Sequence, residues 1–136
     1  MKSFQGGDDR IEEVIWASEM AYFTRLYKAD YEGVLLLTDS LFLAWPGNLS
    51  RPLNRTESLQ FMKKLVPRPT NCKITIDRGG IRITGGLALT HYLLQVTCAD
   101  NQGESQVTTT RITHTWVRRG NLWRLLGGMS AEKRTE

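Results

Sequence analysis

The sequence predicts an α+β fold in one domain, with helices first and an antiparallel sheet after them. Apolar residues recur at helical spacing in the first half of the chain, whereas β-branched and aromatic residues alternate at period two from about residue 72 onward. Helices followed by a run of strands are typical of this class. The 136 residues suffice to bury one core. We expect the domain to span residues 8–131, with flexible ends at residues 1–7 and 132–136.

The charges, apolar runs and cysteines of the sequence argue against nucleic-acid-binding, membrane-spanning and metal-binding proteins. A formal charge of +4 comes from scattered basic residues, the densest groups being Lys63-Lys64 and Arg118-Arg119. No basic stripe with interleaved aromatics is present, which argues against nucleic-acid binding. No apolar run reaches the ~18 residues of a membrane span. Cys72 and Cys98 lack metal-ligand spacing, so we expect two reduced thiols in a cytoplasmic protein with no metal or cofactor.

A long first helix is predicted from Asp8 or Asp9 to about Ala29. Its apolar residues form two stripes, namely Ile11, Ile15, Tyr22 and Leu26, and Trp16, Met20, Phe23 and Tyr27. At about 100° per residue the centres of the stripes lie roughly 120° apart. The helix must therefore be covered on two sides, by a sheet and by either a second layer or a cavity.

Two shorter helices flank the first strand. Asp30 is suited to cap a helix over residues 31–37, and residues 40–45 form a strand. We expect Asp39 to cap or orient that strand. Asn54 begins the third helix, with Glu57 three residues later at the spacing of a capping box.

The second half of the chain predicts a meander of strands. They span residues 73–78, 81–84, 87–99, 106–118 and 122–129. Gly79-Gly80 indicates a bulge or a sharp bend between the first two. An arginine and a histidine in the middle of strand 106–118 suggest that the sheet lines something wetter than an ordinary core.

The order of elements, with the phrases LYKADYEGVLLLTDSLFLAWPG and THTWVRRGNLWRLLGGMS, resembles the nuclear transport factor 2-like superfamily. Within it the chain is similar to small bacterial SnoaL-like proteins and to the association domain of calmodulin-dependent kinase II. The resemblance implies a cone, in which a strongly curved sheet wraps round the long helix and encloses an apolar pocket. It also implies a homodimer that pairs through the outer face of the sheet.

Ketosteroid isomerase, an enzyme of that superfamily, uses an aspartate base with a tyrosine and a protonated aspartic acid as donors. Carried over by position, the tyrosine matches Tyr22 in type. The base falls on Trp45 or Ala44, and neither can abstract a proton. The second donor falls near Thr113. The resemblance therefore argues against isomerisation by that mechanism.

The candidate ligand-binding residues are Tyr22, Trp45, Tyr92, Arg111, Thr113 and His114. Arg111 would bind a ligand anion or form a salt bridge across the strand pair or the dimer interface. With Arg111 and Thr113 facing the cavity, His114 faces outward by strand parity, while the kinase resemblance favours the opposite. Alternation with His91 places Tyr92 inward and His91 outward. The sequence leaves open which face of strand 106–118 lines the cavity.

These residues predict a small-molecule-binding pocket protein. Polar groups among apolar walls are typical of ligand sites. The SnoaL-like resemblance implies an isomerase, cyclase or dehydratase acting on a hydrophobic, carbonyl-bearing substrate. The alternative is a non-catalytic oligomerisation or ligand-sensing module, as the kinase association domain would suggest. No residue stands out as the general base.

Overall fold

The computed structural model describes the backbone of residues 2–133 and the side chains from Asp9 onward. A six-stranded sheet curls round the long N-terminal helix, which confirms the predicted α+β cone. The helices are α1 (Lys2–Tyr27), α2 (Tyr31–Leu36) and α3 (Arg55–Leu65). The strands are β1 (Thr38–Trp45), β2 (Leu53–Asn54), β3 (Cys72–Thr84), β4 (Leu87–Ala99), β5 (Ser105–Arg119) and β6 (Leu122–Glu132).

The first helix and the last strand are longer than predicted. Helix α1 begins at Lys2, ahead of the predicted start at Asp8 or Asp9. At the other end β6 runs to Glu132, past the predicted end of this strand at residue 129. Met1 and residues 134–136 lie outside the described residues. No described helix is long and apolar enough to cross a membrane.

Local signals place the helix boundaries. Helix α1 gives way to α2 at Ala29, whose φ of 57° lies in the left-handed region. The Asp30 carboxylate then accepts a hydrogen bond from the Gly33 amide at 3.0 Å and caps α2. At α3, Asn54 and Glu57 form the predicted capping box, with reciprocal bonds of 2.9 and 3.0 Å. Both predicted caps are confirmed.

The sheet has the strand order β2-β1-β6-β5-β4-β3. All neighbours are antiparallel except β1 and β6, which run parallel, so the predicted antiparallel sheet is a mixed one. This junction needs a close approach of backbones, since a Cβ on Gly127 would lie 1.8 Å from the Leu43 carbonyl oxygen. Glycine at that position therefore lets β1 join the sheet.

The predicted break in the third strand is a bulge. The register of β3 against β4 shifts between Arg78 and Gly80, with Gly79 as the extra residue. A bulge bends and twists the strand that carries it, as a sheet wrapped round a helix requires. The two predicted strands are thus one bent strand.

Cys72 and Cys98 form a disulfide, so the expectation of two reduced thiols is wrong. The residues lie directly opposite each other in the β3–β4 register, with Cα atoms 4.1 Å apart. Their separation of 26 positions carried no sign of this pairing, which depends on strand register alone. Such bonds persist in oxidising surroundings, which weighs against the predicted cytoplasmic setting.

Candidate functional site

The inner face of β5 carries Ile112, His114 and Trp116, all buried against α1. Arg111 lies on the opposite, exposed face, and Thr113 shares that face. The expectation that Arg111 and Thr113 face the cavity is therefore corrected. The larger, more apolar set of side chains turns toward the helix because it buries more apolar surface there.

A buried carboxylate lies at the centre of this face. Glu19 comes from the middle of α1 and is fully buried. Its Oε2 accepts hydrogen bonds from Thr90 Oγ1 at 2.6 Å and Trp116 Nε1 at 2.9 Å. Its Oε1 accepts from Tyr92 OH at 2.7 Å and lies 2.6 Å from His114 Nδ1. Four donors from two strands thus converge on one anion.

These contacts determine the charge of Glu19. Burial by itself raises the pKa of this carboxyl. The charge that His114 carries in its protonated form and the hydrogen bonds from His114, Thr90 and Trp116 outweigh it, so the pKa of Glu19 lies below its ordinary value. Burial and the same carboxylate raise the pKa of Tyr92, which keeps the phenol protonated as a donor. Glu19 is therefore an anion at neutral pH.

The ring of His114 is held in one orientation. It stacks on Phe23, with ring centroids 6.1 Å apart and an interplanar angle of 9°, and meets the edge of Tyr22 at 5.8 Å. Because an ionised Glu19 can only accept, Nδ1 carries the proton that lies between them. When the ring is neutral, Nε2 is therefore the unprotonated nitrogen. No described residue forms a hydrogen bond with Nε2.

His114 lines a cavity of about 330 Å³ bordered by α1, α3, β1, β4, β5 and β6. The walls are mostly apolar, with six aromatic side chains: Tyr22, Phe23, Tyr27, Phe42, Trp45 and Phe61. The lining also includes four residues with hydroxyl side chains: Ser58, Thr108, Thr110 and Ser130. Glu132 is the charged carboxylate of the wall, whereas Glu19 lies behind His114 and does not line the cavity. An apolar cavity with a few polar groups is suited to a small organic ligand.

Tyr22 is a second polar group in this cavity. Its side chain is buried, and its hydroxyl contacts Met62 Sδ at 3.8 Å. Burial and the charge of Glu19 raise the pKa of Tyr22, so the phenol stays protonated. A thioether is a weak acceptor, and the phenol can therefore turn to a better acceptor on a ligand at little cost.

The other sequence candidates divide between cavity, core and outer surface. Trp45 lines the cavity where β1 ends, and its Nε1 donates to the Leu49 carbonyl at 2.6 Å. Tyr92 points inward, as predicted, but donates to Glu19 in the core. His91 is exposed, as predicted, and contacts Thr113 on the outer face. Arg111 borders an outer groove of about 490 Å³ with Thr113.

Glu19 was missed in the sequence, although a signal for it existed. It lies three or four positions from Ile15, Trp16, Tyr22 and Phe23, which belong to the two apolar stripes of α1. An acid surrounded by buried positions on a helix must itself be buried. A buried acid needs partners, and His114, one of the candidate site residues, is a side chain that could supply one.

Gly128 makes room for the histidine. A Cβ at this position would lie 2.8 Å from His114 Cδ2 and 1.9 Å from the Thr113 carbonyl oxygen. Neither distance is tolerable for a real side chain. The glycine in β6 therefore allows both the close pairing with β5 and the position of the imidazole ring.

No family model matches this chain, and no curated protein does. Solved structures match it over nearly the whole length. A candidate dehydratase of the NTF2-like family from Streptomyces avermitilis is 15% identical with a TM-score of 0.79, over 93% of this chain and 99% of that one. The association domain of C. elegans calmodulin-dependent kinase II is 15% identical with a TM-score of 0.75, over 96% and 98%. A candidate ketosteroid isomerase from Parabacteroides distasonis is 15% identical with a TM-score of 0.72, over 90% and 87%.

Proposed function

We propose that this chain, which has the nuclear transport factor 2-like fold, binds an uncharged hydrophobic carbonyl compound in its cavity and transfers a proton on it. The reaction class is that of an isomerase, dehydratase or cyclase. His114 is the general acid and base, and Glu19 orients it. The observation that carries the proposal is the 2.6 Å contact between His114 Nδ1 and Glu19 Oε1, next to a cavity that the imidazole lines.

The pair provides the base that the sequence lacked. Glu19 holds the proton on Nδ1 and leaves the lone pair on Nε2. When Nε2 takes a proton from the carbon beside a substrate carbonyl, the imidazolium is stabilised by the buried anion. A carboxylate has the same role behind the histidine of a serine protease, where it does not itself become protonated. An imidazole can both accept and return a proton, which suits a group that must do both in one reaction.

Tyr22 supplies the second requirement. Removal of a proton beside a carbonyl places negative charge on the carbonyl oxygen, which needs a donor already in place. Tyr22 lines the same cavity as His114, and its hydroxyl has a thioether as its present acceptor. Turning that hydroxyl from Met62 to an oxyanion replaces a weak hydrogen bond by a charge-assisted one.

The cavity wall supports an uncharged substrate. Among the described residues that line it, none is a lysine or an arginine, and Glu132 would repel a second carboxylate. Anionic ligands are usually met by arginine or lysine, so carboxylates and phosphates are disfavoured. The aromatic walls favour a flat, hydrophobic skeleton.

Enolisation of a generic ketone tests the proposal without knowledge of the substrate. We would incubate the protein with 2-tetralone, an uncharged bicyclic ketone, in D2O and follow deuterium uptake beside the carbonyl by mass spectrometry. Deuterium uptake should be faster with the wild type than in buffer alone. His114→Ala should lower the rate above buffer at least about 100-fold. Glu19→Gln and Tyr22→Phe should each lower the rate of deuterium uptake as well.

The chain's second histidine provides the control. His91 lies on the outer face and does not line the cavity. His91→Ala should therefore retain the wild-type rate. If NMR detects 2-tetralone in the cavity while deuterium uptake stays at the buffer rate, the catalytic proposal fails.

A non-catalytic role in assembly is the second candidate. The outer sheet face exposes large apolar side chains such as Leu43, Leu89 and Met129, with 55%, 38% and 61% of their surface accessible. Exposed apolar area of this kind marks interaction surfaces. We propose that the chain forms a homodimer through this face. A monomer at 100 μM by light scattering would contradict the pairing and leave the cavity proposal untouched.

A further inference from the structure

The outer sheet face carries one acid and one base in a single row across three strands. Asp77 in β3 lies opposite Leu93 in β4, and Leu93 lies opposite Arg111 in β5. The odd-numbered positions of this row point away from α1, since their neighbours Ile76, Leu94 and Ile112 pack in the core. The two opposite charges thus flank β4 symmetrically on the outer surface.

Neither charge is paired within the part of the chain that the structure describes. No described residue forms an ion pair or a side-chain hydrogen bond with Asp77 or Arg111. Both border the outer groove of about 490 Å³, whose floor includes Leu93. By contrast, the neighbouring Arg78 is paired with Glu13 at 2.8 Å. Asp77 and Arg111 are therefore available to a partner.

The strand between them is apolar on its outer side. Leu87 and Leu89 are exposed there, and Leu93 is half-buried, while His91 and Gln95 complete the row. None of these five β4 residues is an acid or a permanently charged base. A strand of this composition can lie against a copy of itself, because like charges are not brought together.

We infer that two copies of the chain pair with a two-fold axis parallel to β4, so that Asp77 of each copy faces Arg111 of the other. Rotation about that axis exchanges β3 with β5 and preserves the position along the strands. It places two identical ion pairs on either side of a line of leucines. The inference rests on the pairing proposed above and adds its geometry.

Other axes in the same surface are less favourable. An axis along β5, or one that crosses the strands at this row, brings Arg111 of one copy against Arg111 of the other. Like charges in a partly desolvated interface oppose association. The outer groove would also have to be filled in a closely packed interface. An arginine side chain from the partner is long enough to cross the groove and reach Asp77. The charge pattern thus favours the axis along β4.

Charge reversal tests this arrangement. Arg111→Asp places an acid against Asp77 at two symmetric positions, so the dimer dissociation constant should rise at least about tenfold. Asp77→Arg should weaken the dimer in the same way. The double variant Asp77→Arg/Arg111→Asp restores both pairs with reversed polarity and should return the constant to within a few-fold of wild type. Analytical ultracentrifugation measures all four proteins.

A matched control separates the pair from general effects of charge. Arg82 lies on the outer side of the same sheet, in a row with Leu89 and Thr115, so the proposed axis places no acid opposite it. Arg82→Asp makes the same change in net charge as Arg111→Asp and should leave the dissociation constant within about threefold of wild type.

Each outcome bears on a different claim. A monomeric wild type contradicts the outer-face dimer itself. Two results would overturn the axis along β4 but not the dimer. One is a dissociation constant that neither single reversal changes, and the other is a double variant that does not recover the wild-type constant. Circular dichroism on every variant shows whether it remains folded. Deuterium exchange on 2-tetralone reports the cavity separately.

Discussion

His114 Nδ1 lies 2.6 Å from Glu19 Oε1, although 95 positions of sequence separate the two residues. The contact joins the middle of α1 to the middle of β5, across the core of the cone. It orders the imidazole, determines its neutral tautomer and compensates a fully buried anion. The same pair is therefore central both to the stability of the core and to the proposed chemistry.

Replacing Glu19 tests its share of the stability. Glu19→Gln removes the anion from four donors, and we expect a loss of about 3 kcal/mol in the free energy of unfolding at pH 7, as for a broken buried pair. Urea denaturation at pH 7 measures it. Glu32→Gln, on the exposed side of α2, is the control and should change stability by less than about 0.5 kcal/mol. A loss that small for Glu19→Gln would mean that the core does not depend on the anion.

The same residue predicts an acid limb in the stability curve. The folded-state pKa of Glu19 is lowered, so its contribution is present above the unfolded value of about 4.3 and is lost as the pH falls through the folded value. Denaturant titrations between pH 3 and 7 should show wild-type stability falling below about pH 4.3. In Glu19→Gln this fall should be shallower. Parallel curves for the two proteins would contradict the lowered pKa.

Trp116 is predicted to matter as a donor as well as a packing residue. Trp116→Phe removes the Nε1 bond to Glu19 Oε2 and leaves a small void, for a loss of about 2–4 kcal/mol. Thermal and urea denaturation measure it. Trp123→Phe is the matched control, since Trp123 is half-buried and is not one of the four described donors to Glu19. Equal losses in the free energy of unfolding for the two variants would mean that the hydrogen bond from the Trp116 indole to Glu19 adds nothing to stability.

Gly128→Ala should disturb the histidine from the neighbouring strand β6. The new Cβ would overlap the Thr113 carbonyl and press on the imidazole, which we expect to cost about 1–3 kcal/mol. The imidazole resonances of His114 should shift by NMR, and deuterium uptake by 2-tetralone should fall. At Gly80 a Cβ would meet nothing within 4 Å, so Gly80→Ala is the control. Unshifted His114 resonances in Gly128→Ala would show that β6 moves to accommodate the added methyl group.

Reduction of the disulfide should lower stability. The bond joins residues 26 positions apart, and cross-linking a loop of that size is worth about 3–4 kcal/mol by the loop-entropy relation. Urea denaturation with and without a phosphine reductant measures the difference. The double variant Cys72→Ser/Cys98→Ser should be as stable as the reduced protein, and the reductant should not change its stability. A wild-type protein that is equally stable in both conditions would contradict the bond's contribution.

Much of the fold followed from local patterns. The stripes of α1, the caps at Asp30 and Asn54 and the bulge at Gly79 each depend on residues within a few positions of one another. The resemblance then supplied the cone, which the structure confirms. Of the candidate site residues, Tyr22, Trp45 and His114 do line the cavity. Arg111 and Thr113 do not, because they lie on the outer face of β5, the face that the carry-over of Thr113 from ketosteroid isomerase had turned inward.

The sequence by itself determined which residues alternate, where the helices begin and end, and that α1 must be covered on two sides. Alternation along β5 separates residues 111, 113 and 115 from residues 112, 114 and 116, yet it does not say which set meets the helix. Only the tertiary structure decided that, together with the meeting of Glu19 and His114 and the bond between Cys72 and Cys98. Each of these depends on strand register and on the curl of the sheet round α1, which bring together residues that no local spacing relates.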